Sequence, residues 1–336
     1  MKSKIVRIAF TSFFLFTIFP IFIVKGLTYP SNQSFSRISD LKDSFESINV
    51  QNLTFSYNHP ETEKQMPILI LYPTIEENLT LPLLLFALGY FCKPDYPCYS
   101  NAVNFLKHLV IQGYVIALPT HSMAYYDVTQ QDGAKTLFSL KNFLLDEWEG
   151  QIRHNSSIKL SKNKVSYVGI SDGGGTALIA GAIDPSVSGV VLFAPYLTLN
   201  QINISLRDYH PPLLAIGGTQ DPGASPDNLK YLSSLLDYNE RQIYVVFINC
   251  DHSGYYNEPY IQFSISMTLV FCDYHLKNDS DSYENFFGAS LFSHELAQEL
   301  DFSHSTSEGG VWLIFILSFV LITGLLLVRI HIIKRK

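Results

Sequence analysis

Short apolar runs bounded by turn residues recur through the middle of the chain, at 66–72, 83–88, 114–118, 164–170, 188–193, 213–217 and 242–248. They are rich in Val, Ile, Leu and Phe and too short for helices, which is the pattern of strands buried on both faces. Longer stretches of helical period lie near 102–112, 134–148, 173–182, 226–236 and 259–274, so that strand and helix alternate from about residue 114 onward. Such alternation predicts a doubly wound α/β domain, a mostly parallel sheet with helices on both faces. In that architecture chemistry gathers beyond the carboxyl ends of the strands, so candidate residues are sought where each apolar run stops.

The two ends follow a different pattern. Lys2, Lys4 and Arg7 precede an almost unbroken apolar run over 8–24 and then Lys25 and Gly26, the layout of a secretion signal. Val24 and Gly26 suit a cleavage site and Lys25 between them does not, so a cleaved signal and an uncleaved anchor both stay open. At the other end, 311–328 carries no charge, and Ile330, Ile332 and Ile333 extend it to the length that crosses a bilayer as a helix, about 20 residues. Arg329, Lys334, Arg335 and Lys336 form the basic flank expected on the cytoplasmic side, and the same flank argues against a removable lipid-anchor signal. The expected order is a signal peptide or anchor over 1–26, one domain over 27–276, an extension and polar stalk over 277–310, a transmembrane helix over 311–333 and a cytoplasmic tail over 334–336. Both signals place the domain outside the cytoplasm, on the cell surface or in the secretory lumen.

That location changes how the cysteines are read. The 336 residues contain four, Cys92, Cys98, Cys250 and Cys272, an even set for a compartment where disulfides persist, and the expected pairing is Cys92–Cys98 and Cys250–Cys272. Asn-x-Ser/Thr triplets at Asn32, Asn52, Asn78, Asn155, Asn203 and Asn278 suggest surface positions and glycans. The net charge of −7 comes with no basic stretch outside the membrane flanks, so nucleic acid is not an expected partner. No clustered metal-ligand spacing and no phosphate-binding glycine loop is present, so neither metal nor cofactor is expected.

Candidate chemistry begins at Val168-Gly169-Ile170-Ser171-Asp172-Gly173-Gly174, a G-x-S-x-G pattern joining a predicted strand to a predicted helix. A serine forced into so tight a turn exposes its Oγ above the sheet, and small residues two positions to either side prevent collision with neighbouring backbone. Such a serine needs a base and an orienting acid, in the chain order Ser, Asp, His. Asp221 lies just past the 213–217 run and His252 just past the 242–248 run. Asp251 and Asp227 are weaker candidates for the acid: an extended chain turns Asp251 away from its neighbour His252, and Asp227 falls in the first turn of a helix. The amides of Tyr90, after the early strand, and of Asp172, after the serine, are the expected oxyanion donors. His121, after the 114–118 run, is a further resident of the same edge.

Over about 67–274 the chain resembles the dienelactone-hydrolase, chlorophyllase and cutinase-like polyester-hydrolase branch of the α/β-hydrolase superfamily. The resemblance rests on L-G-Y at 88–90, G-x-S-x-G-G at 169–174, F-A-P-Y at 193–196, G-G-T-Q-D at 217–221 and D-H-S-G at 251–254. It implies an α/β-hydrolase fold and a serine esterase that cleaves small or extended carboxylic esters through an acyl-enzyme. It also implies a substrate-clamping role for Tyr196, beside Tyr90 and Phe91 at the rim. Two positions depart from the family pattern: Asp172 stands where a neutral residue is usual, and the Cys92–Cys98 loop lengthens the rim. A peptidase or acyltransferase on the same triad, and a catalytically silent surface-binding domain, are the alternatives.

Overall fold

The computed structural model describes residues 49–58, 63–75, 78–126, 129–148, 157–197, 206, 209–223, 225–236, 242–257, 260–280 and 311–315. All of them belong to one compact unit, Lys42–Phe315; the other unit, Met1–Leu41 with Ile316–Lys336, lies outside the described residues, and with it the expected signal segment and cytoplasmic tail. Most of the expected stalk and of the membrane helix lie outside them too.

The strands are β1 (Val50–Asn58), β2 (Gln65–Pro73), β3 (Thr80–Ala87), β4 (Val115–Pro119), β5 (Lys159–Ile170), β6 (Gly189–Phe193), β7 (Leu213–Gly218), β8 (Gln242–Phe247) and β9 (Val311–Phe315). They form one sheet in the order β1-β2-β4-β3-β5-β6-β7-β8-β9. β1 and β2 run antiparallel to their neighbours, and every other pairing is parallel. The expected mostly parallel α/β sheet is therefore present. β1 adds an antiparallel edge that the apolar runs did not announce. Its Leu53, Phe55 and Tyr57 alternate with exposed residues, as suits a strand with one face in water.

The helices are α1 (Pro97–Val110), α2 (Gln130–Glu147), α3 (Asp172–Ile183), α4 (Pro226–Leu235) and α5 (Ile261–Cys272), the last running on as a π-helical turn over Asp273–Lys277. Alternation along β3 shows how they divide between the two faces. Leu83, Leu85 and Ala87 point into a core shared with α2, α3 and α4, while Leu84 and Phe86 point into one shared with α1 and α5. Behind α2, a buried polar knot ties helix to sheet: Lys141 Nζ meets Asp184 Oδ2 at 2.5 Å, and the Tyr167 hydroxyl donates to the same oxygen at 2.8 Å.

Two expectations are corrected. Residues 311–315, expected to open the membrane helix, are described as the strand β9 beside β8. Val, Trp, Leu, Ile and Phe suit a strand as well as a membrane helix, and a short apolar run carries no period that separates the two. Among the described residues no helix is long and apolar enough to cross a membrane. The second correction concerns the cysteines. Cys92–Cys98 is a disulfide, with Cα atoms 5.9 Å apart, but Cys250 and Cys272 are free and buried. Cys250 follows β8 and packs against Gly254, beside Tyr260 at the head of α5, whereas Cys272 is at the tail of that helix. A rise of 1.5 Å per residue separates head from tail by about 16 Å, more than twice what a disulfide spans.

Position in the sheet locates the site. From β3 the chain crosses to β4 on one side, while β5 lies on the other, so the strand order reverses between β3 and β5. Loops leaving the carboxyl ends of these two strands diverge and leave a crevice between them. Gly89 and Ser171 sit there.

Candidate active site

Ser171 lies between β5 and α3 with φ 55° and ψ −123°, a conformation that costs a side chain about 1–3 kcal/mol and persists only where surroundings enforce it. The enforcement is visible. The Ser171 amide donates to Phe193 O at 2.8 Å, and its carbonyl accepts from the Tyr196 amide at 2.9 Å. A Cβ on Gly169 would stand 2.2 Å from the Gly173 carbonyl oxygen, and one on Gly173 would stand 2.2 Å from that of Ala87. Only glycine lets β5 and α3 close on each other and on β3 at that turn.

Two and three strands further along, Asp221 and His252 follow β7 and β8. The loops that carry them are stitched together: Gln220 N to Cys250 O at 3.1 Å, Asn249 N to Thr219 Oγ1 at 2.7 Å, and Thr219 N to Phe247 O at 3.0 Å. The result is a linear relay. His252 Nε2 is 2.8 Å from Ser171 Oγ, and His252 Nδ1 is 2.9 Å from both carboxylate oxygens of Asp221. Asp221 is 1% exposed, and its Oδ1 also accepts the Gly223 amide at 2.8 Å. A buried, hydrogen-bonded carboxylate beside Nδ1 fixes the ring and leaves Nε2 to accept a proton from the serine.

The competing acids are placed elsewhere. Asp251 Oδ1 accepts the amide and hydroxyl of Ser253 in a local turn, and Asp227 is in the first turn of α4. The backbone and hydroxyl of Ser253 hold the Asp251 carboxyl below its ordinary value. His121 lies after β4, with Nδ1 3.0 Å from Thr120 Oγ1 and its ring tilted 35° against that of Tyr125, centroids 4.4 Å apart. Burial, helped by Lys93, keeps that imidazole below its usual range.

On the other side of Ser171, β3 and α3 meet. A Cβ on Gly89 would lie 3.2 Å from that of Ser171, so the turn leading into Tyr90 runs directly past this serine. Asp172 is the first residue of α3, where backbone N–H groups have no partner within the helix and the dipole favours negative charge. Its carboxylate is engaged by Gln130. Gln130 Nε2 donates to Asp172 Oδ1 at 2.9 Å, to Asp172 O at 3.2 Å and to Tyr196 O at 2.7 Å. Burial raises the Asp172 carboxyl above its ordinary value, with the Gln130 amide working the other way. Sequence reasoning missed Gln130. Its only local signal is Thr129, whose side chain caps α2 by accepting the Asp132 amide at 3.2 Å and so sets where Gln130 starts the helix.

Exposed aromatic rings flank the serine. Tyr90 and Phe91, 57% and 71% exposed, follow β3 with ring centroids 4.0 Å apart; Tyr196, 50% exposed, follows β6 on the other side of β5. The Cys92–Cys98 loop continues this rim and is tied to the post-β4 loop through Ser122 N and Cys92 O at 2.9 Å. Among the described residues no group of three or more His, Cys, Asp or Glu side chains is arranged to hold a metal ion. Asn52, Asn78 and Asn278 are exposed; Asn32, Asn155 and Asn203 lie outside the described residues.

No protein-family model matches the chain, and no curated protein matches it either.

Proposed function

We propose that this chain is a serine hydrolase of the α/β-hydrolase type that cleaves carboxylic esters through an acyl-enzyme, with its catalytic domain held outside the cytoplasm by a membrane segment. The observation that carries the reading is the relay itself: 2.8 Å from Ser171 Oγ to His252 Nε2 and 2.9 Å from Nδ1 to a buried Asp221, on a strained turn.

The chemistry follows from that geometry. Ser171 Oγ attacks the ester carbonyl carbon while its proton passes to His252 Nε2, and Asp221 stabilises the imidazolium that forms. Negative charge gathers on the carbonyl oxygen, for which the amides of Tyr90 and Asp172 are the donors. Collapse breaks the bond to the alkoxy group, which leaves as an alcohol with the proton from His252. Water then attacks the acyl-serine with His252 again taking the proton, and serine and a carboxylic acid are released. Tyr90, Phe91 and Tyr196 offer ring faces on both sides of the nucleophile, suited to a small or extended acyl group lying across an open rim.

The test is a fluorophosphonate label followed by peptide mapping, on the wild type and on Ser171→Ala. Label on the peptide bearing Ser171, with label and p-nitrophenyl ester hydrolysis both lost in a folded Ser171→Ala, is the expected result. Full residual hydrolysis in that variant would remove the triad from consideration.

A further inference from the structure

We infer that Tyr255 is a positioning residue for the triad, a fourth member that holds Asp221 through its phenolic hydroxyl; this rests on the hydrolase reading above. Tyr255 lies in the single 3₁₀ turn Gly254–Tyr256, three residues after His252. The Tyr255 hydroxyl donates to Asp221 Oδ2 at 3.2 Å. That ring is fully buried between Phe193 and Phe247, with centroids 6.1 Å from each, so the direction of the hydroxyl is set by packing.

Room for this contact is provided by β7. A Cβ on Gly218 would stand 3.1 Å from the Tyr255 hydroxyl and 2.3 Å from the Cys250 carbonyl oxygen. The last residue of the strand that delivers Asp221 is therefore shaped around the group that anchors it. Burial, reinforced by Cys250 and Asp221, keeps the phenol far above its ordinary value, so it remains a neutral donor.

The carboxylate is thus gripped on two sides. Gly223 N donates to Oδ1 and the Tyr255 hydroxyl to Oδ2, which leaves the plane of the carboxylate facing Nδ1 of His252. A carboxylate free to rotate would spend part of its time off that axis, and the cost would appear in turnover rather than in substrate binding. The neighbouring Tyr256 is an internal control. It is buried on the same turn, but among the described residues its hydroxyl has no hydrogen-bond partner.

The experiment compares Tyr255→Phe with Tyr256→Phe, each alone, and adds Tyr255→Phe to Asp221→Asn, with fluorophosphonate labelling rate and ester kcat and KM as readouts. Tyr255→Phe is expected to lower kcat about tenfold with KM within about twofold, the scale of one hydrogen bond to a charged group. Tyr256→Phe should leave both unchanged. In the Asp221→Asn background the Tyr255 substitution should cost less than about twofold, because a residue that acts through Asp221 has nothing left to position. An unchanged kcat in folded Tyr255→Phe, an equal loss in Tyr256→Phe, or full additivity with Asp221→Asn each overturns the inference while leaving the triad intact. A wild type that takes no label at Ser171 overturns the triad and this inference together.

Discussion

Replacing Gln130 by Met tests how the elbow is held in place. The side chains are nearly equal in volume, so the change removes the Nε2 donor without opening a cavity at this buried position. Three acceptors lose their partner: the Tyr196 carbonyl at 2.7 Å, the Asp172 carboxylate at 2.9 Å and the Asp172 carbonyl at 3.2 Å. Two N–H groups serve these three, so the Nε2 group accounts for two full hydrogen bonds. A neutral one contributes about 1 kcal/mol and one to a carboxylate about 1.5–3 kcal/mol. Asp172 is only partly buried and water can replace some of its lost contact, which brings the sum to about 2 kcal/mol. Urea unfolding should show this as a lower midpoint at unchanged m-value. Because the clamp joins the first residue of α3 to the loop after β6, kcat should also fall, by about tenfold, with little change in KM. Gln130→Glu sets an acceptor against an acceptor and should be worse than Met near neutral pH, recovering in part as the carboxyls protonate. A Gln130→Met protein within about 0.5 kcal/mol of wild type and with wild-type kcat would show that the three contacts position nothing.

Asp221→Asn should lose on the order of 10⁴ in kcat by presenting the wrong histidine tautomer, while Asp251→Asn stays within about twofold; the reverse ranking in steady-state assays would reassign the acid. Lys141→Met should cost about 3–5 kcal/mol in urea unfolding, since it strands the buried Asp184 carboxylate, and a cost below about 1 kcal/mol would show that water reaches that site. Burial works against the Asp184 charge but is outweighed by Lys141, Ser186 and Tyr167, so its carboxyl sits below the ordinary 3.8. Its stabilising contribution is therefore present above that value and lost as pH falls through the lower folded one. In thermal unfolding between about pH 2 and 6, Asp184→Asn should be less stable than wild type at the upper end and should show a shallower acid-side decline. Parallel curves would exclude Asp184 as a source of acid sensitivity.

The strands β2 to β8 were legible because each contains a largely buried stretch, in β5 only its second half, that reads as an apolar run between turn residues. β1 was not, because half of its side chains face water and the signal is alternation rather than a run. The serine, aspartate and histidine could be picked out because each ends a strand and each follows the last in a fixed chain order. What holds them could not. Gln130 reaches Asp172 across 42 residues and Tyr196 across 66, and Tyr255 reaches back 34 to Asp221, separations at which no local pattern exists. Cys250 and Cys272 show the same limit: parity and compartment favoured a bridge, and the length of α5 forbids it.

The strand β9 and a bilayer-spanning helix that starts at residue 311 exclude each other. With Val311–Phe315 paired to β8, the uncharged run left is 316–328, about 13 residues or about 20 Å of helix, against a hydrocarbon layer of about 30 Å. Spanning from there would draw Arg329 and His331 toward the membrane, with Ile330, Ile332 and Ile333 as the only apolar extension before Lys334. Starting at 311 instead gives a span of adequate length and uncovers the edge of β8, whose backbone groups would then need water or another strand. The two arrangements differ in what a protease sees. A membrane helix over 311–333 predicts that protease added to intact cells releases the hydrolase domain and leaves a tag after Lys336 protected. If the tag is cut along with the domain, the apolar run does not cross the membrane, and Val311–Phe315 serve instead as the strand that pairs with β8.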